Sequence, residues 1–226
     1  MCIRDSGRGV QRVFEESARR QEPTWSPDGK RVAFHAETPH WSIQIATIHG
    51  TDVEEVAAAM RQGGNPSWFP DGNEIAFIDN DPNRIRIITL NSDKVRTFLP
   101  RETPWMYEPA WSPSGDRLAF SWSRWGIDDK SAIFVANRDG SRLRQISKKG
   151  SGRYPVWSPD GDKIAYTEEI IQGDGQVVVV DVKTGKETQL THHGWNITGS
   201  WFDPKNLSVT PEPHLLTTTW GKIKAN

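Results

Sequence analysis

Hydrophobic and polar positions along this chain alternate in short runs, and the runs come in a fixed order that returns four times. The clearest are "KRVAFHA" at residues 30–36, "NEIAFID" at 73–79, "DRLAFSW" at 116–122 and "DKIAYTE" at 162–168. Alternation with period two predicts strands. A second, more apolar set follows each: "SIQIATI" at 42–48, "RIRIITL" at 84–90, "SAIFVAN" at 131–137 and "QVVVVDV" at 176–182. A weaker strand closes each unit: "KVRTFL" at 94–99, "RLRQIS" at 142–147 and "KETQLT" at 186–191. In the first unit that place holds "EEVAAAM", 54–60, which reads locally as helix and is assigned as a strand because the register demands it.

A short Pro-x-Trp strand opens each unit. Its tryptophans, Trp25, Trp68, Trp111 and Trp157, are spaced by 43, 43 and 46 residues, and Trp201 follows 44 later. Between the first and second strands lie Pro27-Asp28-Gly29, Pro70-Asp71-Gly72, Pro113-Ser114-Gly115 and Pro159-Asp160-Gly161. Proline presets φ, Asp or Ser bonds the local backbone and glycine accepts positive φ, so each is a tight turn. Four strands in roughly 40–50 residues, repeated, predict an all-β fold: a β-propeller of four-stranded antiparallel blades. The expected boundaries are a leader at 1–8 and repeats over 9–210, with a tail at 211–226. The blades fall at about 23–60, 66–100, 109–147 and 155–191, with a partial blade at 199–210. The repeat tryptophans, Trp201 included, are expected to pack between blades.

Composition narrows the function. A formal net charge of −1 with 25% charged residues gives no general attraction to nucleic acid or anionic membrane, so neither is expected as a partner. No apolar run approaches the roughly 20 residues of a membrane span. The single cysteine, Cys2, allows neither an internal disulfide nor a Cys-x-x-Cys site. "MCIRDSGRGVQR" lacks the apolar core of a signal peptide.

Pro-x-Trp-Ser-Pro-Asp-Gly-x-x-Ile-Ala-Phe, present four times with small variations over about residues 9–210, resembles the WD-repeat-like PD40 motif of TolB-type β-propellers. The resemblance implies a non-enzymatic binding platform, exported to the periplasm or secreted, with a protein or peptide as partner. Related blades occur in prolyl-oligopeptidase-like peptidases and in polysaccharide lyases, which supply the two alternative readings. TolB-type rings usually have six blades, whereas only four are complete here; "GVQRVFEES" at 9–17 resembles a last strand and "GSWFDP" at 199–204 a first. The expectation is a six-bladed ring truncated at its N-terminus, with "MCIRDSG" not native. The alternative is a five-bladed ring closed by the two partial blades.

No Gly-x-Ser-x-Gly, His-Glu-x-x-His or Walker loop occurs, so no catalytic residue and no cofactor is expected. His35, His40, His192 and His193 are the candidate metal ligands, but adjacent histidines on an extended strand point to opposite sides, and no metal is expected. The acidic loops "DNDPN", 79–83, and "GDG", 173–175, read as turns. The informative signal is aromatic. Trp41, Trp122 and Trp125 lie in or beside connections from second to third strands, and Trp105 and Trp195 in connections from a fourth strand to the next unit. Both kinds of connection emerge on one face of a propeller. With Tyr107, Arg124, Arg153 and Tyr154 they form the candidate partner-binding rim, since tryptophan and arginine dominate binding hot spots. The loop "SWSRWGIDDK", 121–130, is the strongest single candidate. A protein or peptide is the expected partner, a glycan the second candidate, and a monomer the expected state.

Overall fold

The structure, a computed structural model, describes residues 2–3, 11–12, 19–37, 40–48, 52–60, 63–80, 83–92, 94–102, 105–124, 130–148, 151–171 and 174–201. A two-residue ladder joins β1 (Cys2–Ile3) to β2 (Gln11–Arg12). Four blades follow. The first comprises β3 (Arg19–Trp25), β4 (Arg31–Glu37), β5 (Trp41–Thr47) and β6 (Val53–Met60). The second comprises β7 (Gly64–Trp68), β8 (Glu74–Asn80), β9 (Asn83–Thr89) and β10 (Lys94–Thr97). The third comprises β11 (Met106–Trp111), β12 (Arg117–Trp122), β13 (Ala132–Asn137) and β14 (Arg144–Gln145). The fourth comprises β15 (Ser151–Trp157), β16 (Lys163–Ile171), β17 (Asp174–Asp181) and β18 (Glu187–Gln189). Each is an antiparallel sheet with its strands in chain order. The helix-like "EEVAAAM" lies in β6, paired along β5. Residues 199–201, the described part of the expected fifth first strand, carry no strand.

Each blade covers one apolar face with the next. Ala33, Ile43 and Ile45 of the first pack on Trp68, Ile75, Phe77 and Ile88 of the second. Ile85, Ile87 and Phe98 of the second meet Trp111, Leu118, Phe120 and Phe134 of the third. Ala119, Ile133 and Val135 of the third meet Trp157, Ile164, Tyr166 and Val178 of the fourth. A buried aromatic side chain is worth roughly 1.5–3 kcal/mol over an exposed one, so these junctions carry much of the fold's stability. The repeat tryptophans record the arrangement: Trp68, Trp111 and Trp157 are 6–7% exposed, while Trp25 in the first blade is 48% exposed and Trp201 beyond the fourth 38%.

Two of the three junctions share their polar contacts. The Trp68 indole N–H donates to the Thr24 carbonyl at 3.2 Å, and that of Trp157 to the Ala110 carbonyl at 2.9 Å. Arg31 and Arg117 each lie 4.8 Å over the next blade's tryptophan and donate to its turn-glycine carbonyl, Gly72 at 3.3 Å and Gly161 at 3.2 Å. The middle junction differs. Phe69 replaces the turn serine and meets Trp111 edge-on at 5.1 Å, while Glu74 replaces the arginine. Glu74 is held by Arg138 at 3.0 Å and Arg96 at 3.9 Å, and Arg138 lies 4.0 Å over Phe69.

The turns close as their sequence predicts. Ser26 Oγ donates to Asp28 Oδ1 at 2.6 Å and accepts from the Arg31 amide at 2.9 Å. Ser158 and Asp160 repeat this at 2.5 Å. The serine bond, then a backbone N–H, holds each aspartate below its ordinary pKa of 3.8.

Turn glycines with φ near 70° test the junction. A β-carbon on Gly29 meets nothing within 4 Å, whereas one on Gly115 lies 2.5 Å from the Phe69 ring. Gly29→Ala is expected to cost about 1 kcal/mol, the backbone strain alone. Gly115→Ala adds the clash and is expected to cost about 3 kcal/mol. Urea unfolding of the two variants measures the difference, and equal losses would refute the role given to Phe69.

Candidate functional site

The site grows from the residue before each repeat proline. Proline has no N–H for the ladder, so each first strand bulges there. Glu22 and Pro23 stand between the paired Gln21 and Thr24, and the same shift occurs at Gly64/Ser67, Tyr107/Ala110 and Arg153/Val156. The residue before proline is never glycine, yet its φ is 54° at Glu22, 51° at Asn65, 53° at Glu108 and 55° at Tyr154. Each such conformation costs about 1–2 kcal/mol. Each of the four takes part in a hydrogen bond to a neighbouring repeat unit. Glu22 Oε2 accepts from the Asn65 amide at 2.5 Å, and Glu108 Oε2 from the Tyr154 amide at 2.8 Å. The Tyr154 carbonyl accepts from Thr198 Oγ1 at 2.5 Å. Thr198 lies 44 residues after Tyr154, so the repeat register continues past β18, with no strand among the described residues 190–201.

Across from the last paired residue before each bulge, the second strand places His35, Ile78, Ser121 and Thr167. In the third blade this completes a buried polar cluster. Glu108, 7% exposed, accepts from Ser121 Oγ at 2.6 Å and from Arg153 Nε and Nη2 at 2.9 and 2.7 Å. The Arg153 guanidinium lies 5.2 Å from the Tyr107 ring and 5.6 Å from that of Tyr154. Burial works against its charge, but the bonds to Glu108 outweigh that and hold its pKa above the ordinary value. Burial raises the Tyr107 hydroxyl pKa. The result is an aromatic–arginine band, Tyr107–Arg153–Tyr154, fixed across the third and fourth blades.

Between the first and second blades the same mouth holds a cavity of about 320 Å³. His35 and Trp41 line it, stacked at 4.4 Å. Tyr107 closes it toward the band. His35 is 5% exposed, and its Nε2 has no hydrogen-bond partner among the described residues. Burial pulls its pKa from 6.5 to about 4, so the ring is neutral at pH 7.

The remaining rim candidates divide. Trp105, half-buried with φ 76°, stitches two connections: its amide donates to the Asn83 carbonyl at 2.8 Å and its carbonyl accepts from Ser123 at 3.1 Å. Trp195 is 49% exposed and lies against Gly175. Arg124 caps Trp122 at 5.1 Å and pairs with Glu102 at 3.7 Å. Trp122 itself corrects the expectation. It is 0% exposed, T-shaped on Phe134 at 4.9 Å, because β12 runs on through it and places it in phase with Leu118 and Phe120 on the core side. It offers no surface to a partner. Trp125 and most of its loop lie outside the described residues, as do residues 202–226. Glu22, Asn65 and Glu108 were not singled out from sequence; their signal was the position before each proline.

Among the described residues, no group of three or more His, Cys, Asp or Glu side chains is placed to hold a metal. His40 bonds Glu55 at 3.2 Å, and His192 and His193 are exposed.

Residues 37–210 match the family model described as PD40, TolB beta propeller domain. No curated protein matches. Among solved structures, TolB from Acinetobacter baumannii is similar with a TM-score of 0.73 at 24% identity, over 84% of this chain and 48% of that one. A putative TolB from Agrobacterium tumefaciens gives 0.60 at 18% identity, over 80% and 84%. A puromycin-hydrolyzing peptidase from Mycobacterium tuberculosis gives 0.64 at 15% identity, over 83% and 31%. The chain thus spans about half the length of the Acinetobacter protein.

Two outcomes test the site. Arg153→Ala leaves the Glu108 carboxylate buried without its cation and is expected to cost about 2–3 kcal/mol in urea unfolding, whereas a loss under about 0.5 kcal/mol would make the pair a surface one. His35 sets a pH dependence. Below pH 6.5 the unfolded chain takes a proton that the folded chain refuses until about pH 4, so stability falls across that window. His35→Phe is expected to flatten that part of the curve; unfolding at pH 4.5 and 7.5 compares them.

Proposed function

The chain belongs to the TolB β-propeller family, and on that premise we propose that it is a non-enzymatic binding module acting in the periplasm. It presents the mouth of its blades to a protein or peptide partner. The observation that carries this reading is the Tyr107–Arg153–Tyr154 band, an arginine held in place by a buried carboxylate between two tyrosine rings. An anchored arginine and rigid aromatic rings give large contact area at low entropic cost, which is the makeup of a binding hot spot. Tyr154 is 37% and Trp195 49% exposed on that rim, and Arg124 and Trp105 lie beside it. The peptidase among the similar structures supports the scaffold and adds no reason to assign hydrolysis, since one propeller scaffold carries many functions.

Surface variants that spare the fold test the reading. Tyr154→Asn keeps a residue that tolerates positive φ, and Trp195→Ala and Arg124→Ala remove exposed groups. Cross-linking in envelope extract identifies what the wild-type chain captures, and titration then gives affinities. The triple variant is expected to unfold within about 1 kcal/mol of wild type and to bind the captured partner at least tenfold more weakly, about 1.4 kcal/mol. Unchanged affinity would remove the band from the binding face.

A further inference from the structure

The cavity between the first and second blades shares only Tyr107 with the aromatic–arginine band, and its chemistry is different. Its lining carries one cation, Arg19, and one anion, Glu22. The opposite charges leave no net field to select a charged ligand. Amide side chains come from Gln21, Asn65, Asn80 and Asn83. Each amide both donates and accepts, as a hydroxyl group does. Two aromatic residues complete the wall, Trp41 and Tyr107, each with an apolar ring and a polar tip.

The pocket is organised. Glu22 is fixed by its bond to the Asn65 amide, which leaves Oε1 as an acceptor. A side chain at Gly64 would run into that carboxylate and approach His35 Nδ1, so the glycine keeps the floor open. Trp41 is held by the His35 stack, with the Arg19 guanidinium 5.9 Å from its ring. His35 brings a buried nitrogen with no partner among the described residues, and such groups are rare in native structures. The volume of about 320 Å³ lies at the small end of ligand pockets.

We propose that this pocket binds a neutral carbohydrate unit, a mono- or disaccharide or the end of a longer glycan. Its hydroxyls bond Glu22 and the amides, and its apolar ring face rests against the aromatic wall. With Arg19 and Glu22 both in the lining, a ligand of either sign meets one attractive and one repulsive charge and gains no net attraction over a neutral one. The inference does not rest on the protein-binding reading above: Gln21 lies outside the band, and each can fail without the other.

The test uses the full chain, 15N-labelled, titrated with glucose, N-acetylglucosamine and cellobiose. Sodium galacturonate and trialanine serve as the charged and peptide probes. The Trp41 indole and His35 ring resonances report on the pocket. One neutral saccharide is expected to shift both resonances to saturation with a millimolar Kd. Trp41→Ala and Gln21→Ala should each weaken binding at least tenfold. Gln21 is exposed, so its variant folds as wild type even where the loss of Trp41 perturbs the blade. In that variant, capture of a protein partner should be unchanged. No shift with any neutral saccharide, tighter binding of galacturonate or trialanine, or full affinity in Gln21→Ala would each overturn the proposal.

Discussion

Everything in this molecule depends on one constraint: a blade cannot cover its own repeat tryptophan. Each sheet is apolar on both faces, and only the neighbouring blade removes the second face from water. The indole N–H adds direction to that burial. It finds a carbonyl in the preceding first strand, one residue before that strand's own tryptophan, at two of the three junctions. Blade spacing is thereby tied to a hydrogen bond as well as to packing. The 7% exposure of Trp68 against the 48% of Trp25 shows how far the neighbour is responsible.

The middle junction shows that the constraint is on shape and charge rather than on residue identity. Two changes occur together there. Phe69 takes the space over the next turn glycine that an arginine side chain fills elsewhere, and Glu74 stands where that arginine originates. Neither change works alone. A glutamate without Arg138 and Arg96 would be a buried, uncompensated charge, and an arginine with Phe69 would contend for the same space. The Trp111 indole N–H has no partner among the described residues, so this junction trades a hydrogen bond for an aromatic edge contact.

Sequence periodicity made the blades legible, because period-two alternation and the Pro-x-Trp turn phrase act locally and repeat. The β6 assignment shows its strength: local propensity favoured helix, and pairing along β5 overrode it. The candidate rim was legible only in part. Its face was readable from strand order, but exposure was not. Trp122 misled because the loop was taken to begin at Ser121, whereas β12 runs through Trp122 and makes it a core position. Glu108 and His35 were hidden for another reason. Their importance comes from contacts 45 residues away or from a buried nitrogen with no hydrogen-bond partner among the described residues, and neither leaves a mark in local pattern.

The bulge before each proline joins the fold to the site. A first strand without proline would run straight and pair to its end, and its inner edge would be an ordinary ladder. Proline breaks the ladder at one point per blade, and the residue before it is turned into the left-handed region with its side chain and amide facing the neighbour. The same interruption separates two environments along the inner strands. On the turn side, Pro, Trp and Val residues from the second, third and fourth blades line an apolar hollow. On the other side lie Glu22, Asn65, Glu108 and Tyr154, with His35 and Ser121 beneath. Packing is therefore concentrated below the bulge and polar chemistry above it. The residue before the proline is free to vary from Glu to Asn to Tyr as long as it tolerates or is held in positive φ. That freedom lets one repeat place a carboxylate in the first and third blades, an amide in the second and an aromatic ring in the fourth without disturbing the tryptophan below.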